Sequence, residues 1–146
     1  MMRSWEKYAL FGVIASWSII VPAQRYWPAI EGHFWPVVSV ASVYDPSPSP
    51  PPGYRYTWSG DASKLRDCAF IRLEWFMGSR GGPYVGVPAE FLDAPQLRSK
   101  GEMHWDEIAV SLSPDNVGTN SYAYVYHDCG WPWEVRSLFY DSTLNL

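Results

Sequence analysis

An all-β antiparallel sandwich preceded by one N-terminal helix is the fold that the sequence predicts, and three observations predict it. The chain opens with an uncharged run at 8–23, sixteen residues long. Beyond it, short apolar segments alternate with turns rich in Gly, Pro, Asn, Asp and Ser. Two cysteines, Cys68 and Cys129, stand far apart in that second part. The expected division is 1–30 as a membrane anchor or signal peptide and 31–146 as one extracytoplasmic domain. The roughly 110 residues left after the leader are enough for one domain and too few for two ordinary ones.

The leading segment reads as a single-pass transmembrane helix with Tyr8, Phe11, Ile14, Trp17 and Ile20 among its lipid-facing residues. A span needs about 20 apolar residues, and the strict run is shorter. Aromatics extend it: Trp5 and Tyr8 on one side and Tyr26 and Trp27 on the other lie about 20 residues apart, roughly 30 Å along a helix. Arg3, Lys7 and the amino terminus outweigh Arg25, which keeps the short tail cytoplasmic. Pro22 takes the helical donor from the carbonyl of Ser18 and favours a kink or an end. Two competing readings are a cleaved signal peptide ending at Val21, Pro22 and Ala23, and a buried helix of a soluble protein.

The stretch 45–53, Asp-Pro-Ser-Pro-Ser-Pro-Pro-Pro-Gly, favours polyproline II and reads as a long loop inside the domain, with a stiff spacer as the alternative. Candidate strands are 37–44, 54–59, 65–77, 84–87, 104–112, 122–129 and 134–140, separated by turn-rich stretches; a short helical turn fits 89–97. Seven short strands in a chain of this size argue for an antiparallel sandwich. Cys68 and Cys129 are an even count in a chain read as exported, so one disulfide is the economical pairing.

Strand parity adds detail. If Cys129 faces the core, so do His127, Val125 and Ala123, and Tyr122, Tyr124 and Tyr126 form a row on the opposite face. In the third segment Cys68 shares a face with Phe70, Arg72 and Glu74, while Ile71, Leu73, Trp75 and Met77 hold the other. A bulge near Phe70 reconciles the two; otherwise the disulfide lies at the sandwich edge.

With Cys68 in the third candidate strand, Cys129 at the end of the sixth, and the turn and tyrosine-rich strand at 115–126 before it, residues 37–140 resemble an immunoglobulin-like domain. The resemblance implies a two-sheet sandwich and is generic. Gly82 stands where such domains often carry a core tryptophan, and His127 stands two residues before the second cysteine in place of tyrosine.

Chemical motifs are sparse. The net charge of −4 and the absence of a Lys/Arg cluster argue against nucleic acid. His104 with Asp106 and Glu107, and His127 with Asp128, bring imidazole near carboxylate, yet they read as solvated strand ends. No short-spaced Cys/His set suggests zinc, and 78–82 lacks the spacing of a nucleophile elbow or phosphate loop. No metal and no cofactor is expected. Aromatics make up 17% of the chain, with nine Trp and ten Tyr, and the row Tyr122, Tyr124, Tyr126 with the pair Trp131 and Trp133 are the candidate binding aromatics.

Function is therefore expected to be a membrane-anchored extracytoplasmic binding or assembly module without catalysis. Its partners would be the lipid bilayer through the helix and a protein or glycan through the aromatics, with a homo-oligomer as a further possibility. The expected location is the inner membrane, single-pass, with the C-terminal domain in the periplasm or outside the cell. The general design resembles small accessory proteins of bacteria and their phages. One alternative is a phage lysis or superinfection-exclusion protein, whose anchor would oligomerise through Gly12, Ala15 and Ser16. Another is a cell-wall glycan-binding or glycan-cleaving domain, the latter requiring two carboxylates such as Glu74 and Asp106 in one cleft.

Overall fold

Alternating apolar segments and turn residues fold into two antiparallel sheets behind one long helix. The computed structural model describes residues 4–48, 55–93, 98–116 and 118–144. Its elements are α1 (Ser4–Phe34), β1 (Ser42–Pro48), β2 (Arg55–Lys64), β3 (Ala69–Gly78), β4 (Tyr84–Val87), β5 (Ala89–Phe91), β6 (Gly101–Ser111), β7 (Ser121–Asp128) and β8 (Val135–Asp141). The sheets have the orders β1-β2-β6-β5 and β4-β3-β7-β8.

The helical turn expected at 89–97 is replaced by β5, which pairs with β6 from Ala89 to Phe91; 94–97 lie outside the described residues. Pro88 interrupts the run, and the chain leaves β4 in one sheet to enter β5 in the other. The first strand begins later than expected, at Ser42, and runs on to Pro48 along an edge with a register shift between Tyr44 and Ser47. An edge is where a sheet tolerates proline. The 49–53 part of the proline-rich stretch lies outside the described residues.

β3 shows the register shift expected near Phe70: its pairing with β7 slips between Phe70 and Arg72. One extra residue there puts Phe70 and Cys68 on the same side as Leu73 and Trp75, all packed in or against the core. Trp75, only 2% exposed, is the tryptophan at the centre. Its ring stacks on Trp58 at 5.5 Å and on Tyr140 at 5.1 Å. Gly82 is instead part of the turn between β3 and β4, where its N–H donates to the Ser79 carbonyl. A second aromatic group, Phe91, Trp105 and Phe139, fills the other half of the core. Another slip, between Ala123 and Tyr124 on β7, lets the consecutive residues Phe139 and Tyr140 of β8 both join these packed rings.

Cys68 and Cys129 form the expected disulfide, with Cα atoms 4.5 Å apart. They extend the β3–β7 ladder by one position beyond the Ala69–Asp128 pair, so the bond joins neighbouring strands of one sheet at its end.

The helix corrects the sequence reading. No helix among the described residues is long and apolar enough to cross a membrane, which overturns the single-pass anchor and the inner-membrane placement with a periplasmic domain. The uncharged run of sixteen residues falls short of the roughly 20 that a span requires. Beyond it α1 continues through Gln24 and the charged Arg25 and Glu31. Tyr8, Phe11, Ile14, Trp17 and Ile20, assigned above to lipid, are exposed on it. Arg3 and the side chains of Trp5 and Lys7, used to orient the anchor, lie outside the described residues. Pro22 and Pro28 sit inside α1 without ending it. The carbonyls they deprive of donors belong to Ser18 and Gln24, both exposed and open to water. The helix stops before Pro36.

Its last turn is pressed onto β8. A Cβ added at Gly32 would stand 1.7 Å from the Arg136 carbonyl oxygen, so only glycine permits this approach. The chain then threads along the open side of the sandwich. Val37 N–H donates to Ser137 Oγ at 2.9 Å and Ala41 N–H to the Phe139 carbonyl of β8. On the other side, Ser39 N–H reaches the Ser63 carbonyl and Leu65 N–H the Val37 carbonyl. Segment 37–41 thus stitches the two sheets together and covers the β8 edge, with Val37, Val38 and Ala41 buried.

Two predictions follow from these contacts. Alanine in place of glycine ordinarily strengthens a helix interior by about 1 kcal/mol; here Gly32→Ala should instead cost about 1–3 kcal/mol by overpacking. Urea unfolding and protease cleavage at Arg25 would report it, and a stabilised variant would refute the close approach. Replacing both cysteines by serine should cost up to about 4 kcal/mol, the loop-closure value for a separation of 61 residues, read from the same unfolding curves.

Candidate functional site

The tertiary structure gathers tryptophans from distant parts of the chain into one groove. Trp27 and Glu31 come from the last turns of α1, Trp35 from its exit, Arg66 from the loop after β2, and Trp131 and Trp133 from the loop between β7 and β8. The groove encloses about 480 Å³, within the usual range for a ligand site. It lies beside the disulfide, whose Cys129 opens the loop carrying the two tryptophans.

Its wall is held by a single carboxylate. Glu31, 7% exposed, accepts from Trp133 Nε1 at 2.9 Å and from Arg66 Nη1 at 3.0 Å. Arg66 also donates to the Trp35 carbonyl at 2.9 Å. A buried carboxylate is tolerated only when its oxygens are engaged, and here one oxygen holds the β7–β8 loop while the other holds the β2–β3 loop. Trp131 stacks parallel to Trp133 with centroids 5.9 Å apart, and Trp27 meets Trp133 edge-on at 6.3 Å. Trp131, Trp35 and Trp27 remain 57%, 62% and 43% exposed, an aromatic surface fixed in place and open to solvent.

Of the aromatics singled out in the sequence, Trp131 and Trp133 lie in this groove and the tyrosines do not. Tyr122, Tyr124 and Tyr126 project from the outer face of the β4-β3-β7-β8 sheet, opposite the buried Ala123, Val125 and His127. Tyr122 is itself buried, stacked on Phe76 at 5.1 Å and edge-on to Tyr84 and Tyr124. Tyr124 lies under the Arg136 guanidinium and Tyr126 under that of Arg72. Tyr126 also donates to Glu74 Oε2 at 2.8 Å; burial first, and then this carboxylate, push its phenol pKa up. Most of the row's surface is thus occupied by packing within the sheet.

Trp27 and Trp35 escaped the sequence reading because they fall in or near the segment read as an anchor, and Glu31 and Arg66 carried no motif to single them out. Their spacing held the signal: positions 27, 31 and 35 recur every four residues and share one face of a helix, with an acid between two tryptophans.

The imidazole–carboxylate groups lie elsewhere. His104 sits between two aspartates on the exposed face of the other sheet, with Nδ1 2.8 Å from Asp61 Oδ1 and Nε2 3.2 Å from Asp106 Oδ1. Tyr44 donates to Asp61 Oδ2 at 2.8 Å. The hydrogen bond to Asp61 raises the His104 pKa and lowers that of Asp61. Glu74 and Asp106, the pair considered for glycan cleavage, stand in different sheets: Glu74 bonds Arg72 and Tyr126, and Asp106 bonds His104. No three His, Cys, Asp or Glu side chains among the described residues form a metal-binding group.

His127 is buried in the core edge-on to Phe70, and its Nδ1 has no hydrogen-bond partner among the described residues. Desolvation, reinforced by the nearby Lys64 ammonium, lowers its pKa to about 4. Comparison with known proteins finds no matching family model, curated protein or solved structure.

The buried imidazole makes stability depend on pH. His127 stays neutral in the folded chain down to about pH 4, whereas in the unfolded chain it protonates below about 6.5. Its contribution is complete above pH 6.5 and is lost as pH falls through that window toward 4, by about 3 kcal/mol. His104, with its pKa raised, has the opposite sign, losing its contribution as pH rises above 6.5. Urea midpoints at pH 7, 5.5 and 4 should fall steadily in the native chain and more shallowly in His127→Gln; parallel profiles would refute the assignment.

Proposed function

We propose that this chain is a binding or assembly module without catalysis, whose ligand seats in the tryptophan groove. The observation that carries this reading is the open aromatic surface on a rigid polar frame. Exposed indoles are otherwise costly on a protein surface, and here Trp27 and Trp35 from the end of the helix meet Trp131 from the β7–β8 loop, brought together by Glu31 and the disulfide-closed end of the sheet. The other titratable clusters are paired among themselves on exposed sheet faces, which supports a role in recognition over bond-breaking.

We read the sandwich as immunoglobulin-like. What supports this is the strand order: taking β1 to β8 as A, B, C, C′, D, E, F and G, the sheets become ABED and C′CFG, similar to that fold, with Trp75 on the C strand. The disulfide differs, since it joins C to F within one sheet. Sandwiches of this kind commonly recognise partners through loops at one end, and the groove lies at such an end.

Trp131 is the residue on which to test the reading, because it is largely exposed while Trp133 is tied to Glu31. Tryptophan fluorescence of the full chain should change saturably with at least one of three defined probes: proline-rich peptides, extended peptides without proline, and soluble cell-wall oligosaccharides. Trp131→Ala should weaken that response at least tenfold with the unfolding curve unchanged. A native chain that responds to none of the probes would overturn the reading.

A further inference from the structure

We infer that the groove of one copy takes the proline-rich connection 49–53 of a second copy, so that the chain assembles head to tail. The inference rests on the proposed groove and names its occupant. Three features lead to it: the chemistry of the groove, the chemistry of the segment, and their placement at opposite ends of the sandwich.

Aromatic-lined grooves are the general receptor for polyproline II segments. Indole faces pack against the flat proline rings, a nearby donor meets the ligand's unpaired carbonyls, and the ligand loses little entropy because it is already extended. The groove offers four tryptophans and Arg66, whose guanidinium has five N–H donors, with Nη1 engaged by Glu31 and the Trp35 carbonyl. Beyond the β1 residues Asp45–Pro48, the connection 49–53 is Ser-Pro-Pro-Pro-Gly, with three successive prolines and no charge. With Glu31 buried and paired to Arg66, the groove's own lining presents no exposed acid to oppose an uncharged proline-rich ligand.

Topology forbids the contact within one chain. Residues 49–54 lie outside the described residues, but their flanks are placed: Pro48 pairs with Tyr56 at the start of β2. The groove lies past the other end of β2, where Arg66 follows Lys64. Ten residues of strand separate the two ends, about 30 Å. A connection of six residues tethered at both sides extends at most about 12 Å from its base, so it cannot reach its own groove. It can reach a neighbour's. Donor and acceptor surfaces at opposite ends of one molecule make a heterologous contact, which propagates unless it closes into a ring.

Two measurements test this. A synthetic peptide of residues 45–53 is titrated into the full chain carrying Pro50→Ser, Pro51→Ser and Pro52→Ser, whose groove is then free of the native segment. Saturable change in tryptophan fluorescence, weakened at least tenfold by adding Trp131→Ala, is expected. Sedimentation velocity of the native chain should show mass growing with concentration. That growth should be reduced in the triple-proline variant and in Trp131→Ala. A mixture of these two variants should recover a species of two chains, because one supplies an intact groove and the other an intact segment. Association through the apolar helix would be common to every variant and would show no such complementation. Absence of a peptide response, or association unchanged by both variants, overturns the inference. If an oligosaccharide or another extended peptide shifts the fluorescence while this peptide does not, the inference fails and the groove reading stands; if no probe does, both fail.

Discussion

One inserted residue in β3 decides what the sandwich can contain. Side chains on a strand alternate between faces, so without the slip between Phe70 and Arg72 the disulfide and the Leu73–Trp75 pair would point in opposite directions. With it, a single strand delivers Cys68 and Phe70 to one end of the core and Trp75 to its centre. The bond to Cys129 then fixes where β7 ends and where the loop bearing Trp131 and Trp133 begins. Site and core share this origin.

The helix is the second determinant, and its effect is concentrated in its last turn. Gly32 brings the backbone of α1 against the Arg136 carbonyl, and Glu31 beside it binds two loops at once. Adjacent residues therefore perform separate tasks, one removing bulk so the helix can approach and the other supplying charge to hold what it approaches. Segment 37–41 completes the closure by bonding to β8 on one side and β2 on the other. The helix end is structural to the domain, and the groove exists because of it.

Parts of this were legible along the chain and parts were not. The bulge near Phe70 and the alternation of buried Ala123, Val125 and His127 with outward tyrosines follow from parity, a local rule that needs only sequence. The membrane anchor failed because an uncharged helical run was read without the charged residues Arg25 and Glu31 in the helix that continues it, and Trp27 was assigned to the membrane interface with it. The tyrosine row looked like a binding face because parity gives direction and not occupancy. Phe76, Tyr84, Arg72 and Arg136 cover much of it, and each arrives from another strand.

By itself the sequence determined the class of fold, the pairing of its two cysteines and the face that most strand residues take, since these depend on periodicity, turn chemistry and an even count of thiols. Tertiary structure alone decided that Glu31 would join Trp133 and Arg66, that Gly32 would meet Arg136, and that four tryptophans would share one groove. These contacts span roughly 30 to 100 positions, and no local pattern specifies which distant surfaces meet: that is settled when the sheets pack and the helix end docks on the edge of β8.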